Sequence, residues 1–274
     1  MTRIGIMQGR LVPPEQERLQ SFPRSRWRDE FGYAAEVPVF YIEWICDGYG
    51  ADVNPLMGAD RLSQVQAAVA STGIAVRSVC ADYLMEKPLV HFPESREFLR
   101  RLLVRCRNLG VKRIVLPFVD NSALRPQDLD PVIHLLADVA NDARNAGIEI
   151  HLETSLPPAQ FAAMLRQLPA DVVKVNYDSG NSASLGYKPV EEFAAIGDRI
   201  GSVHIKDRIL GGGTVPLGTG DVDFRSLFEC LRKVKYSGDF TLQVARSEPG
   251  DEIAWAKRNL EFVTRHWDGG ISET

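Results

Sequence analysis

Eight short runs rich in Val and Ile, each followed by a segment whose apolar residues recur at helical spacing, fill the chain almost from end to end. The alternation predicts βαβ units around a parallel sheet, because parallel strands need a long crossover and a helix is the crossover that also covers the sheet. The predicted strands are Arg3–Gln8, Val39–Ile45, Ile74–Cys80, Lys112–Phe118, Ile148–Glu153, Val172–Asp178, Ser202–Asp207 and Phe240–Ala245. Between them, Leu129–Asn145 shows the helical stripe clearly, with Leu129, Val132, Ile133, Leu136, Val139, Ala140 and Ala143 on one face. Gly73, Gly110 and Gly147 each stand just before a strand, where a helix C-cap is expected.

Eight units with no linker between them favour a closed barrel over an open doubly wound sheet. The 274-residue length, which also fits two average domains, then reads as a single (β/α)8 TIM barrel over residues 1–268 and a polar C-terminal tail, 269–274. No GxGxxG follows the first strand and no GxxxxGK[ST] occurs anywhere, which removes the commonest nucleotide-binding motifs. In a barrel of this kind, chemistry sits at the C-terminal ends of the strands.

Composition limits the partners. With 45% hydrophobic and 25% charged residues the chain can bury a full core, and no run reaches the roughly 18 apolar residues of a membrane span. Met1–Met7 reads as a strand without the apolar core and cleavage site of a signal peptide, so a cytoplasmic protein is expected. The net charge of −4 and the dispersal of the 32 basic residues argue against a nucleic-acid partner. Cys46, Cys80, Cys106 and Cys230 have no CxxC spacing and read as reduced thiols.

Strand parity then singles out polar residues. In Ile148–Glu153 the aliphatics face the helices, and Glu149, His151 and Glu153 face the barrel interior, with Glu153 topmost. The same alternation turns Lys174, Asn176 and Asp178 inward on the sixth strand, Ser202, His204 and Lys206 on the seventh, and Thr241 and Gln243 on the eighth. Buried polar groups must be paired or bound to an ion. Glu153, Asp178, His204 and Gln243 offer two carboxylates, an imidazole and an amide oxygen, a donor set suited to Mn²⁺, Mg²⁺, Co²⁺ or Zn²⁺. The residues alone leave a second reading open, in which Glu153 pairs with Lys174 or Lys206.

At these residues the sequence resembles the xylose isomerase-like TIM barrel family of sugar phosphate isomerases and epimerases, nearest to the L-xylulose 5-phosphate and D-tagatose type of 3-epimerase. His151-Leu152-Glu153, Tyr177-Asp178-Ser179-Gly180-Asn181, Val203-His204-Ile205-Lys206-Asp207 and Val215–Phe224, followed by Tyr236-Ser237-Gly238-Asp239-Phe240, carry the resemblance. It implies one divalent metal ion held by Glu153, Asp178, His204 and the residue at 243. It also implies proton transfer through a metal-bound enediolate, with Glu153 as base. The family places a second catalytic Glu where this chain has Gln243, and an amide has no acid–base capacity near neutrality.

Three outcomes follow from that departure. A one-base aldose–ketose isomerisation needs Glu153 alone. Otherwise a second acid replaces the missing Glu; Glu43, inward with Tyr41 on the second strand, is the leading candidate, with Asp82, His91 and Glu248 on mouth loops. In the third, the barrel binds sugar and metal without turnover.

Arg10, Lys206, Arg208 and Arg246 stand at strand ends where they can neutralise an anionic substrate. Asn181 lies in one of the resembling motifs, and Trp44 and Tyr83 are candidate pocket walls. His151, beneath Glu153, is a candidate support for it. The loop containing Gly211–Gly213 and Gly218–Gly220 reads either as a phosphate cradle or as a flexible turn. Only five His residues argue against a multi-metal nuclease on this fold, and a keto-inositol dehydratase shares the enolate step. The expected partner is a small sugar or sugar phosphate, with no nucleic acid, no membrane and a possible homodimer.

Overall fold

The computed structural model describes residues 3–58 and 61–268; the expected polar tail, 269–274, lies outside the described residues. Eight parallel strands close into one barrel: β1 (Ile4–Met7), β2 (Tyr41–Ile45), β3 (Ala75–Cys80), β4 (Arg113–Phe118), β5 (Glu149–Thr154), β6 (Val173–Asp178), β7 (Ile200–Ile205) and β10 (Asp239–Leu242). Closure is made by β1, which pairs with β2 on one side and β10 on the other. The short strands β8 (Asp207–Arg208) and β9 (Thr214–Val215) form a separate antiparallel pair in the loop after β7. Among the described residues no helix is long and apolar enough to cross a membrane.

The main crossovers are α1 (Asp29–Glu36), α2 (Leu62–Thr72), α4 (Pro93–Leu109), α5 (Leu129–Ala146), α6 (Pro158–Leu165), α8 (Pro189–Ile196), α9 (Phe224–Lys233) and the closing α10 (Glu252–Asp268). Two short helices, α3 (Tyr83–Glu86) and α7 (Ser179–Ser184), sit at the mouth. Gly73, Gly110 and Gly147 end α2, α4 and α5 with φ of +75°, +74° and +68°. That left-handed backbone carries no side-chain penalty in glycine and lets the last carbonyls find donors.

Helix-facing aliphatics such as Ile42, Val203 and Leu242 are fully buried between sheet and helices. The barrel axis, by contrast, is polar. Arg113 bonds Asp239 at 2.9 Å and the Tyr41 hydroxyl at 2.8 Å, and Tyr41 meets Thr241 Oγ1 at 2.8 Å, so the lower interior is cross-linked by hydrogen bonds. Small residues make room for it. A Cβ on Gly5 would sit 2.4 Å from the Tyr41 ring, and one on Gly201 would sit 2.5 Å from His151. Sequence parity missed Arg113, because an Arg at the start of a strand is usually a solvated charge.

Strand ends differ from expectation at β7, which begins at Ile200 and stops at Ile205, and at β10, which stops at Leu242. Gln243 therefore lies just past its strand, although its N–H still donates to the Ile205 carbonyl at 3.0 Å. Beyond it the chain is held by side chains: Arg10 Nε donates to Val244 O and Trp255 Nε1 to Ala245 O, each at 2.8 Å.

Candidate active site

Glu153, Asp178 and His204 come from the C-terminal halves of β5, β6 and β7, and one ligand atom of each lies within 4.8 Å of the other two. All three are buried. Two groups hold Glu153: Asn181 Nδ2 donates to Oε1 at 2.6 Å and Asn176 Nδ2 to Oε2 at 2.8 Å. Among the described residues Glu153 makes no direct ion pair with Lys174 or Lys206; its charged neighbour is His204, and Lys206 reaches Asp178 instead. Asp178 caps α7, its Oδ1 accepting from Asn181 N at 2.8 Å, and its Oδ2 lies 3.5 Å from Lys206 Nζ.

His204 sits between two carboxylates. Its Nε2 donates to Glu43 Oε1 at 2.6 Å, while Nδ1 lies 3.3 Å from Glu153 and 3.9 Å from Asp178. Nδ1 is buried and makes no hydrogen bond among the described residues. Burial pulls the imidazole down, but Glu43 and Glu153 outweigh it and push it up to about 10. Burial pushes Glu43 up, yet His204 and Arg113 bring it to about 2. Burial and the charge of Glu153 together raise Asp178. The cluster thus demands positive charge at its centre, as a proton on His204 or as a cation on its free nitrogen.

Gln243 is the expected fourth donor. It lines the mouth cavity with Glu153, Asn181 and Lys206, and its Oε1 is buried without a hydrogen-bond partner among the described residues. Three oxygens and one nitrogen, two of the four atoms orphaned, fit a divalent cation of the hard to intermediate class.

Other expected site residues fall elsewhere. Glu43 is fully buried beneath the cluster and does not line the cavity; it anchors His204 and also accepts from Thr241 Oγ1 at 3.2 Å. Trp44 is not a pocket wall. It follows the inward Glu43 and so faces the helices, where its ring packs on Phe22, Trp27 and Phe31 and its Nε1 donates to Asn54 at 2.9 Å. Tyr83 packs at a tilt against Phe98 with ring centres 4.6 Å apart, off the cavity. His91 pairs with Asp128 at 3.4 Å and Glu248 is exposed, so neither faces the cluster.

Arg10 and Arg246 are spent inside the chain rather than offered to an anion. Arg10 donates to Val244 O, to Leu19 O at 3.0 Å and to Gln20 Oε1 at 3.1 Å. Arg246 donates to the carbonyls of Leu19, Gly9 and Val12. Together they fasten the long β1–α1 connection across the mouth. Arg208 closes the β7 loop onto Gly212 O, and its Nη1 donates to Asn181 Oδ1 at 2.8 Å, alongside Lys206 Nζ at 3.2 Å. The N–H groups of Gly218, Gly220 and Val222 point at the buried Asp207 carboxylate, at 2.9, 2.9 and 3.2 Å, so they are already occupied and form no phosphate cradle.

His151 does not touch Glu153. It meets Ser202 Oγ at 2.6 Å; Ser202 donates to Asn176 Oδ1 at 2.6 Å, and Asn176 holds Glu153. Two residues at the mouth escaped attention in sequence altogether or in rank. Gln20, from the β1–α1 connection, had no signal of spacing or type. Asp82, just past β3, lines the same cavity as Glu153, and burial raises it to about 6 against hydrogen bonds from Cys80 and Gln20.

Known proteins share this arrangement of strands and helices. The model of the xylose isomerase-like TIM barrel family matches residues 31–266. An Escherichia coli (strain K12) protein with the provisional name L-ribulose-5-phosphate 3-epimerase SgbU is 26% identical over 226 residues, 74% of this chain and 78% of its own. The structure of an L-ribulose 3-epimerase superposes with a TM-score of 0.74 at 20% identity, over 98% of this chain and 96% of that one. A xylose isomerase-like TIM barrel protein from Mycobacterium smegmatis, solved in complex with magnesium, superposes with a TM-score of 0.75 at 17% identity, over 99% and 98% of the two chains. The match of the family model along most of the barrel places this chain in the xylose isomerase-like TIM barrel family.

Proposed function

We propose that the protein is a divalent-metal-dependent isomerase or epimerase of a sugar or sugar phosphate, with Glu153, Asp178, His204 and Gln243 holding the ion and Glu153 moving the proton. One observation carries the reading: Glu153, Asp178 and His204 converge within 4.8 Å while His204 Nδ1 and Gln243 Oε1 are buried without partners. The 3-epimerase names of two relatives and the magnesium in a third support it. A bound divalent cation supplies Lewis-acid stabilisation of the negative charge that builds on a carbonyl oxygen as the neighbouring C–H ionises.

The chain's own groups do the rest. Asn176 and Asn181 each take one lone pair of a Glu153 oxygen, which fixes the carboxylate at the cavity and leaves one lone pair on each oxygen, one for the ion and the other for a proton. Lys206, beside Asp178 and Asn181, offers a cation to substrate oxygens at the cavity. Aldose–ketose isomerisation needs no further titrating group. Epimerisation at C3 needs one on the opposite face of the sugar, and Asp82, raised to about 6 and lining the same cavity as Glu153, fits that role better than the enclosed Glu43.

Incubating the manganese-loaded protein with ketoses and ketose phosphates in D₂O tests the proposal. Deuterium at C1 identifies isomerisation and deuterium at C3 epimerisation, and Glu153→Ala abolishes either. Metal uptake with no exchange from any sugar would leave a binding barrel without turnover and overturn the enzyme reading.

A further inference from the structure

The amide at residue 243 is held by a chain of hydrogen bonds whose polarity runs one way. Gln20 Nε2 donates to Asp82 Oδ2 at 2.8 Å, and Gln20 Oε1 accepts from Arg10 Nη2 at 3.1 Å and from Gln243 Nε2 at 2.9 Å. An ionised carboxylate only accepts and a guanidinium only donates. Turning the Gln20 amide over would set its oxygen against Asp82 and its NH₂ against Arg10, so Gln20 is pinned from both ends. Whatever stands at 243 must then present a donor to Gln20 Oε1. Gln243 does so with its NH₂, which turns its Oε1 away from Gln20, and that oxygen is the buried atom without a partner among the described residues.

We propose that Asp82, Gln20 and Arg10 form a positioning clamp that dictates an amide at residue 243 and presents its carbonyl oxygen to the metal as the fourth ligand. The inference rests on the metal reading above. It explains the departure from the family's Glu as a matched feature of this mouth: a carboxylate at 243 would meet the Gln20 oxygen head on. Simple charge counting says that Gln243→Glu tightens a divalent cation by adding a negative ligand. The clamp predicts that it does not.

Titration calorimetry of the full chain with Mn²⁺, run well above the Asp82 value of about 6 so that this carboxylate is ionised, separates the two. Gln20→Met keeps the length of the side chain and removes all three of its polar bonds; Mn²⁺ affinity falls roughly 10- to 100-fold, the usual cost of losing a group that orients a metal ligand. The double variant Asp82→Asn with Gln20→Glu reverses the first bond, setting a donor at 82 against an acceptor at 20, while residue 20 still accepts from Gln243 and Arg10, so affinity stays at the wild-type level. Gln243→Glu binds no more tightly than wild type, but tightens the ion when combined with Gln20→Met.

Wild-type affinity in Gln20→Met, or a double variant no better than Gln20→Met, would overturn the clamp and leave the metal reading standing. A wild-type chain that takes up no Mn²⁺ would overturn both. Should Gln20→Met melt early, Gln243→Glu in the intact loop decides: tighter binding than wild type overturns the clamp, and equal or weaker binding upholds it.

Discussion

The two walls of the barrel mouth are built in different ways. On one, Glu153, Asp178 and His204 ride on successive strands, and their supports Asn176 and Ser202 ride on the same strands a layer below. On the other, Gln20 and Asp82 come from connecting segments, and the bonds that hold them reach across 62 residues to Asp82 and 223 residues to Gln243. A strand-borne side chain inherits its direction from the pleat. A loop-borne one has no such inheritance and depends on partners that arrive from elsewhere in the chain. The first wall should therefore fail locally and chemically when a residue is changed, and the second through the order of the loop.

The largest effect is expected on the strand wall. His204→Ala removes one of the proposed ligands and strands the buried Glu43 charge, so Mn²⁺ affinity falls beyond about 100-fold, past the range for a merely supporting group. Urea unfolding should also show a loss of about 3–5 kcal/mol, typical of breaking a buried pair. Retained Mn²⁺ binding would remove His204 from the ligand set. Next comes Glu43→Gln, which keeps a contact to His204 but not the charge; affinity falls roughly 10- to 100-fold. An unchanged titration would mean that His204 needs no anchor.

On the loop wall, Arg10→Met deletes three hydrogen bonds from a charged donor, and a stability loss of about 1.5–3 kcal/mol is expected. Amide exchange should speed up through residues 8–28 ahead of the barrel strands. Uniform exchange across the molecule would contradict a locally held loop.

The remaining effect is a pH slope. Glu30 is buried behind this loop, its Oε1 accepting from Gly9 N at 2.6 Å and Leu11 N at 3.3 Å, with Arg10 and Arg246 as its charged neighbours. Burial raises its carboxyl from 4.5 to about 8 despite those hydrogen bonds and charges. The folded chain then holds a proton that the unfolded chain gives up between these values, so stability falls as pH rises from 4.5 toward 8. Glu30→Gln cannot titrate, and its denaturation midpoint should change less over that interval. Parallel pH profiles for the two proteins would show that Glu30 does not titrate between the folded and unfolded states.

What could be read in advance follows the same division. Alternating Val- and Ile-rich runs, with glycines ahead of the strands, carried the eightfold barrel, because strand and helix periods are local properties of sequence. Parity found Glu153, Asp178, His204 and the buried neighbours Asn176 and Ser202. It also contradicted one expectation: with Glu43 inward, Trp44 had to face the helices, and its aromatic character outweighed that logic. Arg10 and Arg246 were read as cations for a substrate because each stands at a strand end. Their consumption by carbonyls of the β1–α1 connection is invisible until that connection is laid over the mouth. Asp207 is a similar case, since only the folded loop brings three N–H groups to its carboxylate.

The sequence by itself determined that this chain forms a (β/α)8 barrel and that an imidazole and two carboxylates meet at the ends of adjacent strands, since both follow from periodicities of a few residues. Tertiary structure alone decided that Glu43 anchors His204 from below and that two arginines are spent on loop carbonyls. It also decided that Gln243 faces Gln20 with its NH₂, because amide orientation depends on partners hundreds of positions away, which no local pattern encodes.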